Sequence, residues 1–157
     1  FVLVGGTPAQ VRQFEAQATA MGVRDRFVLT GTVPAQEIPA FIELATILLS
    51  TRREGTNTPS KIYTYLRSGK PLVATNLETH TQVLNGDVAV LTDNTAEGFA
   101  EGIADLLTSP ERAQEIGRRA QAFAAERYDV SLYHDNLGRL YRSLWCAPDG
   151  RRAAAAG

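Results

Sequence analysis

An α/β fold built on a doubly wound parallel sheet is what this sequence predicts, on three observations. Short apolar runs rich in β-branched residues recur at 1–4 (FVLV), 26–30 (RFVLT), 46–50 (TILLS), 71–75 (PLVAT) and 88–92 (VAVLT). Each is almost continuously apolar, as expected of parallel strands buried on both faces. Helix-period segments separate them, and strand and helix in strict alternation make βαβ units, with helices on both faces of the sheet.

The elements follow in order. Gly5 and Gly6 leave the first strand, and PAQVRQFEAQATAMG (8–22) supplies the first helix. AQEIPAFIELA (35–45) follows the second strand, PSKIYTYLRSG (59–69) the third and THTQVLNG (79–86) the fourth. After Thr92 the strands stop, and a helical C-terminus is predicted at 95–107, 109–127 and 130–144. Asn94 or Thr95, Ser109 before Pro110, and Asp129 suit the N-caps of these helices. In the last one Tyr133, Leu137, Leu140, Tyr141 and Leu144 share helical spacing and are expected to pack. One domain is expected over 1–144, and residues 145–157, ending in CAPDGRRAAAAG, are expected to form a flexible tail.

Composition narrows the classes. A chain of 157 residues, 44% apolar, has the material for one core. Acidic and basic residues nearly cancel, 17 against 16, so no global field recommends nucleic acid as a partner and an anion must be bound locally. The one cysteine, Cys146, allows no intrachain disulfide and fits a reducing, cytoplasmic location. No apolar run reaches the roughly 18 residues of a membrane span, and FVLVGG lacks the basic start of a signal peptide. A chain that opens in mid-strand without methionine is expected to be cut from something longer.

In an open α/β sheet, ligands bind beyond the carboxyl ends of the strands, so the loops leaving each strand are the places to look. TRREGTNTPSK (51–61) is the longest and most polar of them. It leads into a helix with Thr58 as cap, Pro59 at the first position and the amides of Ser60, Lys61 and Ile62 unpaired. Free amides at a positive helix end bind phosphate, and Lys61 adds a full charge. Ordinary capping explains the same residues. Glu54 beside Gly55 suits a sugar-hydroxyl acceptor, and equally a solvated glutamate paired with Arg52 or Arg53. Gly5 and Gly6 permit close backbone approach, but GGTPAQV is no GxGxxG, so a dinucleotide cofactor is not expected. His80 and His134 do not form a metal pair, and no cluster has metal-ligand spacing. His80, in a ligand-edge loop, is a contact candidate, and His134 is a helix-surface residue.

Taken together, FVLVGG, DRFVLTGTVPAQEIPAFIELATILLSTRREGTNTP, KIYTYLRSGKPLVATN and SPERAQEIGRRAQAFAAERYDV resemble the C-terminal nucleotide-sugar-binding domain of retaining glycosyltransferases of the GT-B architecture, the group 1 type. The likeness covers about residues 1–144, and Glu54, Gly55, Pro59, Gly69, Lys70, Pro71, Val73, Ala74 and Thr75 match the donor-site motif in order. The resemblance implies metal-independent transfer from a nucleotide diphosphate-sugar, without a further cofactor. Glu54 would hold donor-sugar hydroxyls and Lys61 the leaving diphosphate. Gly55, Thr56, Asn57, Thr58 and Ser60 would face sugar and diphosphate, while Gly31, Thr32 and Val33 would border the base. Thr64 stands where the family usually carries a ribose-gripping glutamate, and it lies ten residues after Glu54 where the family spaces the pair by eight. The family also implies an acceptor-binding N-terminal domain not contained in these residues, with membrane contact of the parent enzyme, peripheral at the inner face, belonging mostly to that part. Two alternatives stay open. A sugar-nucleotide epimerase of the same architecture would use Glu78 and His80, and a non-catalytic nucleotide-binding module is favoured by Thr64.

Overall fold

The computed structural model describes residues 1–145; Cys146 and the tail beyond it lie outside the described residues. The chain forms two compact units, Phe1–Thr46 and the remainder from Ile47.

In the first unit, β1 (Val2–Leu3) and β2 (Val28–Leu29) pair in parallel, with Val2 opposite Val28 and Leu3 opposite Leu29. Helix α1 (Pro8–Ala20) joins them. Its start is a reciprocal cap in which Thr7 Oγ1 accepts from the Gln10 amide at 3.3 Å and Gln10 Oε1 accepts from the Thr7 amide at 2.8 Å, with Pro8 at the first helical position, where its missing N–H costs nothing. A 3-10 turn, Ala35–Glu37, runs into α2 (Ile38–Leu44). Phe27 stacks on Phe1 at 5.3 Å and meets Phe14 of α1 edge-on at 5.2 Å. The expectation of strands buried on both faces fails here, since Val2, Leu3, Val4 and Val28 are all exposed. Two strands of two residues are too short to be covered on both sides by the flanking chain of this unit.

In the second unit the expectation holds. Strands β3 (Leu48–Ser50), β4 (Leu72–Thr75) and β5 (Val90–Thr92) form one parallel sheet in sequence order. All four residues of the central strand are fully buried. Val73 joins Leu106, Ala113 and Ile116 in the core, with Ile47, Leu49, Val90, Phe99 and Ile103 against it. Helix α3 (Lys61–Ser68) follows β3, and its Ile62 and Leu66 are fully buried. It ends at Gly69 in the left-handed region, φ 71°, the conformation glycine adopts without steric cost. Helix α4 (Glu78–Thr81) is short, and α5 (Ala96–Thr108), α6 (Pro110–Arg127) and α7 (Val130–Trp145) close the chain. Thr95 caps α5, its Oγ1 accepting from the Gly98 amide at 3.0 Å. Asp129 receives both the amide and the hydroxyl of Ser131.

Two features of this unit differ from expectation. Thr58 does not cap α3, which begins at Lys61, because its hydroxyl donates to Gln82 Oε1 at 3.0 Å instead. The apolar residues of α7 do not pack: no residue of that helix is buried, and Tyr133, Leu140, Tyr141 and Leu144 are all more than half exposed. The spacing made the helix amphipathic, but none of the described residues covers its apolar face.

Candidate anion-binding site at the carboxyl ends of β3 and β4

Parallel pairing puts Ser50 beside Ala74 and Thr75 beside Thr92, so the loops leaving β3, β4 and β5 emerge at one edge. The loop 51–60 bounds an open depression of about 510 Å³ lined by Ser50, Thr51, Arg52, Pro59, Ser60 and Lys61. Two cations and four neutral residues make its wall, and no carboxylate does.

The loop is anchored at both sides. Thr75 Oγ1 donates to the Arg52 carbonyl at 2.8 Å, Asn94 Nδ2 to the Arg53 carbonyl at 3.3 Å, and Arg52 Nη1 to the Asn57 carbonyl at 2.5 Å. Gly55, at φ 125°, lies under the Arg52 guanidinium, where a Cβ would sit 2.8 Å from Nη2. The dihedral alone calls for glycine, because a side chain is strained there, while the guanidinium is the far end of a flexible side chain that could shift away.

Lys61, at the first turn of α3, lies over the Tyr65 ring at 5.7 Å from its centre. Desolvation pulls its ammonium pKa below the usual lysine value, and the Arg52 charge pulls it in the same direction. Neither Lys61 nor Arg52 has an ion-pair partner among the described residues. Two like charges held close without a counterion destabilise each other, an arrangement that an arriving anion relieves. The start of α3 adds the positive end of a helix dipole, although the Ile62 amide, expected to be unpaired, donates to the Pro59 carbonyl at 3.0 Å and is not free for an anion.

His80 needs correcting. The sequence sets it in a ligand-edge loop, whereas it lies in α4 with no solvent exposure. Its Nε2 is 2.9 Å from Ser50 Oγ, and its Nδ1 is 2.9 Å from both Thr75 Oγ1 and the Thr75 carbonyl. Both ring nitrogens are spent inside the fold, so the imidazole braces the strand ends and does not face a ligand. Burial lowers its pKa, the Thr75 carbonyl opposes that, and Lys61 and Arg52 reinforce it. His134 is exposed on α7, where the sequence put it.

Of the remaining candidates, Glu54, Gly55, Thr56, Asn57, Ser60 and Thr64 are exposed in the second unit, on the loop or on α3. Glu54 forms no ion pair with Arg52 or Arg53. In the first unit the structure brings Gly5, Gly6 and Thr32 together: the Gly5 amide donates to the Gly31 carbonyl at 2.9 Å and Thr32 Oγ1 to the Gly6 carbonyl at 3.2 Å, with Val33 next in the chain. Missed by the sequence were Arg52 as a wall of the depression, and Ser50 and Thr75 as partners of His80. The polar residues that end two otherwise apolar strands were the available signal, since a buried hydroxyl at a strand end needs a partner.

Solved structures share this fold. The Anabaena protein HepE in complex with UDP superposes with a TM-score of 0.82 at 22% identity, over 90% of this chain and 40% of that one. Sucrose-phosphate synthase from Thermosynechococcus elongatus gives 0.81 at 19% identity, over 93% and 38%. The fold is therefore a Rossmann-like α/β domain with a helical C-terminus. The chain belongs to the family of glycosyl transferases group 1, whose model matches residues 1–109. Among curated relatives, alpha-D-kanosaminyltransferase of Streptomyces kanamyceticus is 28% identical over 148 residues, covering 92% of this chain and 37% of that protein. The GDP-mannose-dependent alpha-(1-6)-phosphatidylinositol monomannoside mannosyltransferase of Mycolicibacterium smegmatis is also 28% identical, over 88% and 38%. The chain thus spans less than two-fifths of the length of either relative.

Proposed function

We propose that this chain is the donor-binding half of a metal-independent retaining glycosyltransferase, which binds a nucleotide diphosphate-sugar while the acceptor is held by sequence outside these residues. The observation that carries this reading is the depression at the β3 carboxyl end, walled by two unneutralised cations and the start of α3. Bond cleavage at the anomeric carbon leaves charge on the diphosphate, and a cation with oriented amides stabilises that charge most where water is partly excluded. Lys61 fills the cation role, and Glu54, exposed and without an ion-pair partner, is the proposed acceptor for sugar hydroxyls. HepE, solved with UDP and with UDP-glucose, supports a nucleotide-sugar donor for a domain of this fold.

The epimerase alternative loses support, because His80 is buried with both nitrogens engaged and has no geometry for proton transfer to a ligand.

Calorimetric titration of the chain with UDP, GDP and ADP tests the proposal. One of the three binds, the corresponding nucleoside does not bind measurably, and Lys61→Ala weakens binding roughly ten- to hundredfold, the range for losing a charged hydrogen bond. Silence with all three at millimolar concentration contradicts it.

A further inference from the structure

The donor-site reading leaves a charged residue and the buried group behind it without a role. Arg52 lines the same depression as Lys61, its guanidinium is fixed over Gly55 and on the Asn57 carbonyl, and its own carbonyl is held by Thr75. The hydrogens behind that contact can be assigned by elimination. A carbonyl only accepts, so the Thr75 carbonyl takes its hydrogen bond from His80 Nδ1–H. The Thr75 hydroxyl spends its hydrogen on the Arg52 carbonyl, so its oxygen likewise accepts from Nδ1–H. In the neutral ring, the form that burial favours, Nε2 is then the bare nitrogen, and the Ser50 hydroxyl donates to it at 2.9 Å. The result is a bracket in which Ser50, His80 and Thr75 are fully buried and which ties the end of β3 to the end of β4 and, through the Thr75 hydroxyl, to the backbone of half-buried Arg52.

We propose that Arg52 is the second cation of the diphosphate site, and that His80, as the neutral Nδ1–H tautomer, is the positioning residue that fixes Arg52 there through Thr75. This rests on the donor-site reading and extends it to Arg52, which the sequence did not single out, and to His80 in a role other than the direct contact the sequence suggested. A planar guanidinium offers two parallel N–H groups to a phosphate where Lys61 offers a point charge, so the pair discriminates a diphosphate from a monophosphate better than either alone.

The test is calorimetry on the chain with whichever of UDP, GDP or ADP it binds, and with the matching monophosphate, for wild type, Arg52→Gln, His80→Asn and His80→Leu. Thermal melts confirm that each variant is folded at the titration temperature. Arg52→Gln, whose side chain lies at the surface of the loop, lowers the diphosphate affinity about tenfold or more and shrinks the preference over the monophosphate. His80→Asn keeps an N–H near the Nδ1 position and retains most of that preference, whereas His80→Leu loses it. A purely structural role for His80 predicts lower melting temperatures in both variants with the preference unchanged, and that result overturns the proposal. So does an Arg52→Gln variant that binds as wild type; if Lys61→Ala still weakens binding in that case, the donor site survives and only the role of Arg52 falls. If wild type binds none of the three diphosphates, both fall together.

Discussion

His80 shows what a single residue hides in sequence. Histidine in a polar loop is ordinarily a surface group, and nothing in THTQ announces that the chain turns inward at Thr79 and His80, both of them buried. Its partners lie 30 and 5 residues away, and a partnership at that distance has no local periodicity to betray it. The titration of this residue is a prediction in itself. Its pKa is held below the ordinary 6.5 by burial first, then by Lys61 and Arg52, against the Thr75 carbonyl. The unfolded chain therefore takes up a proton that the folded chain refuses. Stability from this group is complete above pH 6.5 and falls as the pH drops below it, until the folded imidazole itself protonates. Melting temperatures measured from about pH 8 down to about pH 5.5 should decline over the lower half of that window, and His80→Asn should remove the histidine-dependent part of the decline. An identical slope in the variant would assign the effect to other groups.

Elements were more legible than residues. All five strands and the principal helices fall where apolar runs and helical periods put them. For β3, β4 and β5 this is because a buried parallel sheet leaves a dense, local signature, whereas β1 and β2 carry the same apolar runs although Val2, Leu3 and Val28 are exposed. Helix α6 (Pro110–Arg127) was readable to within a residue from Ser109, Pro110 and its apolar period. Contacts between elements were not. Gly117 of α6 sits so close to the turn after α3 that a Cβ there would lie 2.1 Å from the Gly69 carbonyl oxygen, a contact invisible to any pattern within α6. A glycine inside a helix normally weakens it, so replacing one by alanine usually helps. Here the sign reverses: Gly117→Ala should lower the urea midpoint, with a loss of roughly 1–3 kcal/mol for an overpacked contact between backbone and side chain. A midpoint at or above wild type would mean that α6 can move away from α3 freely. The same limit explains α7, where the helical spacing of the apolar residues was legible and their exposure was not, since spacing reveals that a face is apolar but not what lies against it.

At the scale of the whole molecule, fold class and family follow from the order of elements and the Glu54 to Thr75 motif, and the family match over residues 1–109 agrees with that reading. Less legible was the division into two compact units at Thr46 and Ile47, since the sequence there runs without a linker from α2 into β3. Among the described residues no helix is long and apolar enough to cross a membrane. The central claim is that a diphosphate seats between Arg52, Lys61 and the start of α3. Amide chemical shifts of the isotope-labelled chain, recorded while UDP, GDP and ADP are added in turn, report on that most directly. With at least one nucleotide, the largest changes should fall on Thr51 to Ile62 and on the Thr75 amide, and should weaken in Lys61→Ala. Changes confined to another surface, such as the small groove of Arg67, Gln121 and Asp129, or no changes with any of the three, would contradict the account.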